Sequence, residues 1–173
     1  MVRAILEGRK TQTRRVANQK LGPLFESSLK HNGHVALHMM DYDIDCPYGA
    51  VGERLWVRET WQEVPDDGGT IVYRATDPDW EATDGWTWRP SIFMCRAYSR
   101  MTLEVTDVRV QRLQEIAGED AVAEGWPVDQ ELYPTVNTHS KARDWYKRLW
   151  DSLNAKRGFG WATNPWVWCI TFR

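Results

Sequence analysis

Residues 101–113, MTLEVTDVRVQRL, alternate polar and apolar side chains over about twice the span of an average strand. Leu103, Val105, Asp107 and Arg109 fall on one face, and Glu104, Thr106, Val108 and Val110 on the other. The apolar side changes face near Asp107. A regular pleated strand keeps one face throughout, so the switch predicts a β-bulge or a bend round a barrel corner. Other strand signals flank this one. LWVRE in residues 46–61 follows a Pro and Gly turn and sets Leu55, Val57 and Glu59 against Trp56 and Arg58. TIVYRA, residues 70–75, follows the turn-forming DDGG, and WVWCITF, residues 166–172, reads as a buried strand.

Three segments carry a helical period instead. Residues 1–8 place Val2, Ile5 and Leu6 at helical spacing, with Gly8 as a left-handed cap. IAGEDAVAEG, residues 116–125, has Glu119 and Asp120 in its first turn and Gly125 as its stop. Residues 140–154 align Ala142, Trp145, Tyr146, Leu149, Trp150 and Leu153 opposite Asp144, Lys147, Arg148 and Asp151. Between these elements, residues 9–16 are a turn or an extended stretch, a choice that local pattern leaves open. Residues 17–45 read as a long polar excursion, 76–90 as a loop and 127–139 as a polar linker. The order of elements contains no repeating βαβ unit. It predicts an α+β fold, a mixed curved sheet or small barrel with helices outside, forming one domain over 1–173 with long insertions or loops near 17–45 and 76–90.

Composition narrows the function. The 173 residues carry a formal net charge of −2, which disfavours non-specific binding to duplex nucleic acid. Positive charge is concentrated at the start, where Arg3, Arg9, Lys10, Arg14, Arg15 and Lys20 face a lone Glu7. Such a patch suits a small anionic or nucleoside-like ligand. Apolar runs fall far short of the roughly 20 residues that cross a membrane, and Val2 and Arg3 begin no secretory h-region, so a cytoplasmic protein without a membrane partner is expected. Cys46, Cys95 and Cys169 lie at wide, unpatterned spacing, as reduced thiols do. His34 and His38 have a spacing that binds zinc on a helix, but with no Glu between them and no third ligand in view, no metal or other cofactor is expected. The eleven tryptophans belong chiefly to the core and its rim, with one or two available as a stacking wall for a base.

GRKTQTRR, residues 8–15, supplies Gly8, Lys10, Thr13 and Arg15 in a Gly-x-Lys-x-x-Thr-x-Arg pattern. This resembles the opening signature of the ASCH family, a branch of the PUA-like fold. GERLWVRETW (52–61), DVRVQRL leading to EDAVAEG (107–125), LWDSLN (149–154) and NPWVWCITF (164–172) resemble, in the same order, segments of its phage- and prophage-associated members. The resemblance implies a PUA-like open β-barrel with flanking helices. It also implies an amidohydrolase that deacylates N4-acetylcytidine and related N4-acylcytosines, with Lys10, Thr13 and Glu124 as the catalytic set. Arg15, Arg58, Glu59, Ser99 and Arg100 are the candidates for substrate contact.

The chemistry fits that set. A threonine hydroxyl attacks only after a neighbour takes its proton. Lys10 could do so as a neutral amine, its pKa depressed by burial and by Arg9, Arg14 and Arg15. Glu124 would then be the acid that donates to the leaving cytosine amine. The expected partner is a small nucleoside or base. RNA is the alternative, through a PUA-like module that binds it or cleaves it with a metal's help.

Overall fold

A computed structural model describes residues 1–17, 27–31, 34–39, 42–64, 68–78, 87–127 and 138–173. Its strands are β1 (Gln12–Val16), β2 (Ser27–His31), β3 (His34–Met39), β4 (Tyr42–Asp45), β5 (Arg54–Trp56), β6 (Trp61–Val64), β7 (Thr70–Tyr73), β8 (Thr102–Arg112) and β9 (Trp166–Phe172). Its α-helices are α1 (Val2–Leu6), α2 (Gly118–Ala123) and α3 (Thr138–Asn154). The fold is α+β with antiparallel pairing and a main sheet that curls as a half-barrel. Among the described residues no helix is long and apolar enough to cross a membrane.

The chain's contacts group into two compact units. The first holds Met1, Arg3–Glu53 and Glu104–Arg173; the second holds Val2 and Arg54–Leu103. In the first, β9 lies between β1 and β8, antiparallel to both. Its centre is buried without a break: Val167, Trp168, Cys169 and Ile170 are at most 1% exposed, which explains why WVWCITF lacks alternation. The register of β8 on β9 shifts between Val105 and Asp107. That bulge lies where the apolar side changes face, and it buries Val105 and Val108 together although they are three apart.

The helices cover this sheet because their faces match it. In α3, Ala142, Tyr146, Trp150 and Asn154 are buried at four-residue spacing. They join Leu113, Ile116, Ala121, Val167 and Cys169 in and around one core. The Trp150 indole N–H donates to the Phe159 carbonyl at 2.7 Å, so its polar atom is satisfied inside. Leu153, expected on the apolar face, is instead 61% exposed, because the face follows a strict four-residue row that passes it by.

Two other expectations need correction. Part of the 17–45 excursion is a three-stranded antiparallel sheet, β2–β3–β4. β2 (SSLKH) is mostly polar, the apolar residues of β3 (HVALHM) do not alternate, and the alternation of β4 (YDID) spans only four residues, so the strands are defined by pairing to one another. His34 and His38 therefore stand on a strand, where the helical spacing argument does not apply; their side chains lie outside the described residues. Most of 76–90 and of the 127–139 linker also lies outside them.

In the second unit, β6 and β7 form a hairpin with Trp61 opposite Tyr73. Trp61 is 3% exposed and its ring lies 4.9 Å from that of Tyr98. The strand expected at LWVRE stops at Trp56. Past it, the Val57 N–H donates to the Met101 carbonyl and the Glu59 N–H points at the Met94 sulfur, so the ladder is replaced by single bonds.

Candidate active site

The segment after α1 resolves as an extended one. Gly8 turns the chain at φ +69°, and the Lys10 N–H then donates to the Ala4 carbonyl at 2.8 Å. The Thr11 N–H donates to Ala123 at 2.9 Å, and Lys10 forms an antiparallel bridge with Glu124. From there the alternation of β1 sorts the side chains. Gln12 and Arg14 are buried, while Thr13 and Arg15 point to the other side. Glu124 caps the C-terminus of α2 and is 2% exposed. Gly125 follows at φ +95°, where an added Cβ would meet the Cβ atoms of Ala4 and Lys10 at 3.0 Å.

These residues form a buried ionic network. Lys10 Nζ donates to Glu124 Oε2 at 2.7 Å, to the Gln12 carbonyl at 2.7 Å and to the Glu124 carbonyl at 2.9 Å. Its three hydrogens thus have three acceptors. Arg14 donates to Gln12 Oε1 at 2.6 Å, Glu124 Oε1 at 3.2 Å and Asp120 Oδ2 at 2.8 Å. Arg109 meets Asp120 at 2.6 Å and Asp107 at 3.8 Å. The buried cations Lys10 and Arg14 face Glu124 and Asp120, a balance that makes burial of the charges tolerable, while Arg109 and Asp107, 35% and 40% exposed, lie at the rim.

Burial draws the Lys10 ammonium's pKa below the ordinary lysine value against the pull of Glu124, and Arg15 and Arg14 add to the lowering. Burial pushes Asp120 up, but hydrogen bonding to Arg109 and the charges of Arg14 and Arg109 outweigh it and leave the carboxyl below its usual value. Burial raises the Tyr146 phenol, and raises the Cys169 thiol to about 11.

Beside the network lies a cavity of about 320 Å³, at the small end of ligand sites. Thr13, Arg14, Arg15 and Val16 of β1 line one part, with Glu124. Tyr146, Leu149, Trp150, Leu153 and Asn154 of α3 also line it, with Met1, Tyr48 and Arg157. Thr13 and Glu124 therefore share one cavity. Lys10 does not line it; it stands behind Glu124 and has no hydrogen bond to Thr13, whose hydroxyl accepts from Arg15 NH1 at 3.0 Å.

The other four candidates belong to the second unit. Glu59, 1% exposed, takes a bidentate bond from Arg100 at 2.9 and 2.8 Å. The single Ser99 hydroxyl hydrogen is shared between the carbonyls of Val57 and Met101, at 2.9 and 3.0 Å. Arg58 lies over the Trp56 ring at 4.7 Å. Sequence reasoning named Arg14 only as a charge near Lys10, and missed Gln12, Asp120 and Arg109. Asp120 carries a readable signal, since it is one helical turn before Glu124; Gln12 and Arg14 become legible only once residues 12–16 are known to be a strand. Among the described residues no three His, Cys, Asp or Glu side chains gather as a metal site requires. Compared with known proteins, the chain matches no family model, no curated sequence and no solved structure.

Proposed function

We propose that the chain is an amidohydrolase that removes the acyl group from N4-acylated cytosine nucleosides or bases, on an open barrel of the PUA-like kind that its resemblance to the ASCH family implies. One observation carries the reading. A buried carboxylate, Glu124, and a hydroxyl three residues past a buried lysine, Thr13, line the same small cavity. Thr13 Oγ attacks the acyl carbonyl carbon as its proton passes, through a water in the shared cavity, to Glu124, and the carbonyl electron pair moves onto oxygen. Arg15, already at the hydroxyl, faces that oxyanion. Collapse breaks the bond to N4, with Glu124 returning the proton to the amine. A water, deprotonated by Glu124, then cleaves the threonyl ester, releasing the carboxylic acid and restoring Thr13.

In this scheme Lys10 is a positioning residue and not the base. Its donors are all engaged, two of them on Glu124, and it holds the carboxylate in place. The test is loss of the acylcytidine absorbance on incubation with N4-acetylcytidine. Thr13→Ala is expected to abolish turnover and Glu124→Gln to reduce it about 10²- to 10⁴-fold. Lys10→Arg keeps the charge and is expected to retain more activity than either. An inactive wild-type protein would overturn the reading.

A second reading, binding of single-stranded RNA, draws on the second unit. There Arg58 and Arg96 lie over Trp56, and Ile92 and Phe93 are 68% and 71% exposed, a surface suited to stacking bases. Retention of RNA on a filter without N4-acetylcytidine turnover would favour it.

A further inference from the structure

We infer that the cavity takes a phosphorylated nucleoside, with Arg157 as the subsite for a phosphate monoester. The inference rests on the amidohydrolase reading for the base end of the ligand and adds a charged group at the other. It starts from the cavity's charges. Arg14, Arg15, Arg157 and Glu124 line the cavity. Arg14 and Glu124 neutralise one another at 3.2 Å, and Arg15 lies at the Thr13 hydroxyl, where negative charge develops only during reaction. Arg157 is left over.

Among the described residues Arg157 makes no ion pair or side-chain hydrogen bond. Asp151, one and a half turns earlier, is turned away and accepts from the Trp161 N–H at 2.6 Å. Arg157 follows the end of α3, and from α3 the cavity receives the aromatic and aliphatic wall of Tyr146, Leu149 and Trp150. A ligand that fits this lining has a flat apolar part and a standing negative charge. A neutral nucleoside supplies only the first. A nucleoside monophosphate supplies both, since its phosphate carries about two charges at neutral pH. Tyr48 and Asn154 also line the cavity and offer polar atoms of the kind that orient a sugar phosphate.

The experiment is calorimetric titration of the whole protein with cytidine and with cytidine 5′-monophosphate at one ionic strength. Wild-type protein is expected to bind the monophosphate about tenfold more tightly, the scale of one charge-assisted contact. In Arg157→Gln the preference collapses, and in Arg157→Lys part of it remains. Arg157 is exposed, so neither change threatens folding. Equal affinity for the two ligands in the wild-type protein would overturn the inference, as would a preference that survives Arg157→Gln. So would a cytidine dinucleotide that binds more tightly than the monophosphate, because its diester carries one charge and would assign the site to an RNA chain. Turnover of N4-acetylcytidine separates the two claims. Turnover without any monophosphate preference sinks this inference and leaves the reaction standing. An Arg157-dependent preference without turnover does the reverse.

Discussion

A lysine met in a sequence is by default a solvated surface residue, and Lys10 departs from this because every hydrogen on its ammonium has an acceptor. Its dependence on Glu124 is testable by subtraction. Glu124→Ala leaves the ammonium, 6% exposed, with two carbonyls and no counter-charge, a change expected to cost about 3–5 kcal/mol in urea unfolding. Lys10→Met leaves Glu124 still paired with Arg14 and is expected to cost less. Equal losses would mean that the two cations do not share the carboxylate as their geometry indicates. Asp120 contributes to the acid limb of stability. Its folded pKa lies below its unfolded value, so the stability it contributes is complete above the unfolded value of 3.8 and is lost as pH falls through the lower, folded one. Arg109→Ala removes a cation that depresses it, so acid unfolding monitored by circular dichroism should begin at higher pH. Lys10 acts oppositely: its burial costs stability below its lowered folded pKa, and the cost is relieved as pH rises towards 10.5.

The elements readable in the sequence are those whose own period is strong. The four-residue row of α3, the long alternation of β8 and its bulge at Asp107 all follow from side-chain order alone. β1 was open to two readings because QTRRV has a period only when its burial is known, and β2–β4 are short, with a mostly polar first strand and no alternation in the second. The site inherits that limit. Gly-x-Lys-x-x-Thr marks a segment whose Thr13 lines the cavity, but only a strand separates Thr13 from Gln12 and Arg14, and only the turn after α2 brings Glu124 to Lys10. That turn depends on Gly125. Gly125→Ala must adopt φ +95° and press a methyl against Ala4 and Lys10, whereas Gly8→Ala meets nothing within 4 Å. A left-handed conformation alone costs roughly 1–2 kcal/mol, so Gly8→Ala should lose about that much and Gly125→Ala distinctly more. Matching losses in urea unfolding would mean that Lys10 yields freely and is not held in place.

At the scale of the whole molecule, the division into two units leaves no mark in the sequence. One boundary falls inside GERLWVRE and the other inside the alternation of β8, because the grouping depends on which residues meet across the chain and not on local composition. Its consequence is that a defect in one unit's polar core should be felt first within that unit. Glu59 gives the means to test this. It is 1% exposed, and its only ion pair among the described residues is with Arg100, which is 28% exposed. Arg100→Ala strands a buried carboxylate; Glu59→Gln leaves an arginine that can still reach water, and is the milder change. Hydrogen exchange reads the outcome residue by residue. In Arg100→Ala, amides of Arg54–Leu103 such as those of β6 and β7 should exchange about tenfold to a hundredfold faster, as a loss of roughly 1.4–2.8 kcal/mol requires. Amides of β9, whose neighbours β1 and β8 lie in the first unit over most of their length, should keep their protection. If β9 accelerates by the same factor, the chain opens as one cooperative body, and the grouping of contacts has no counterpart in its energetics.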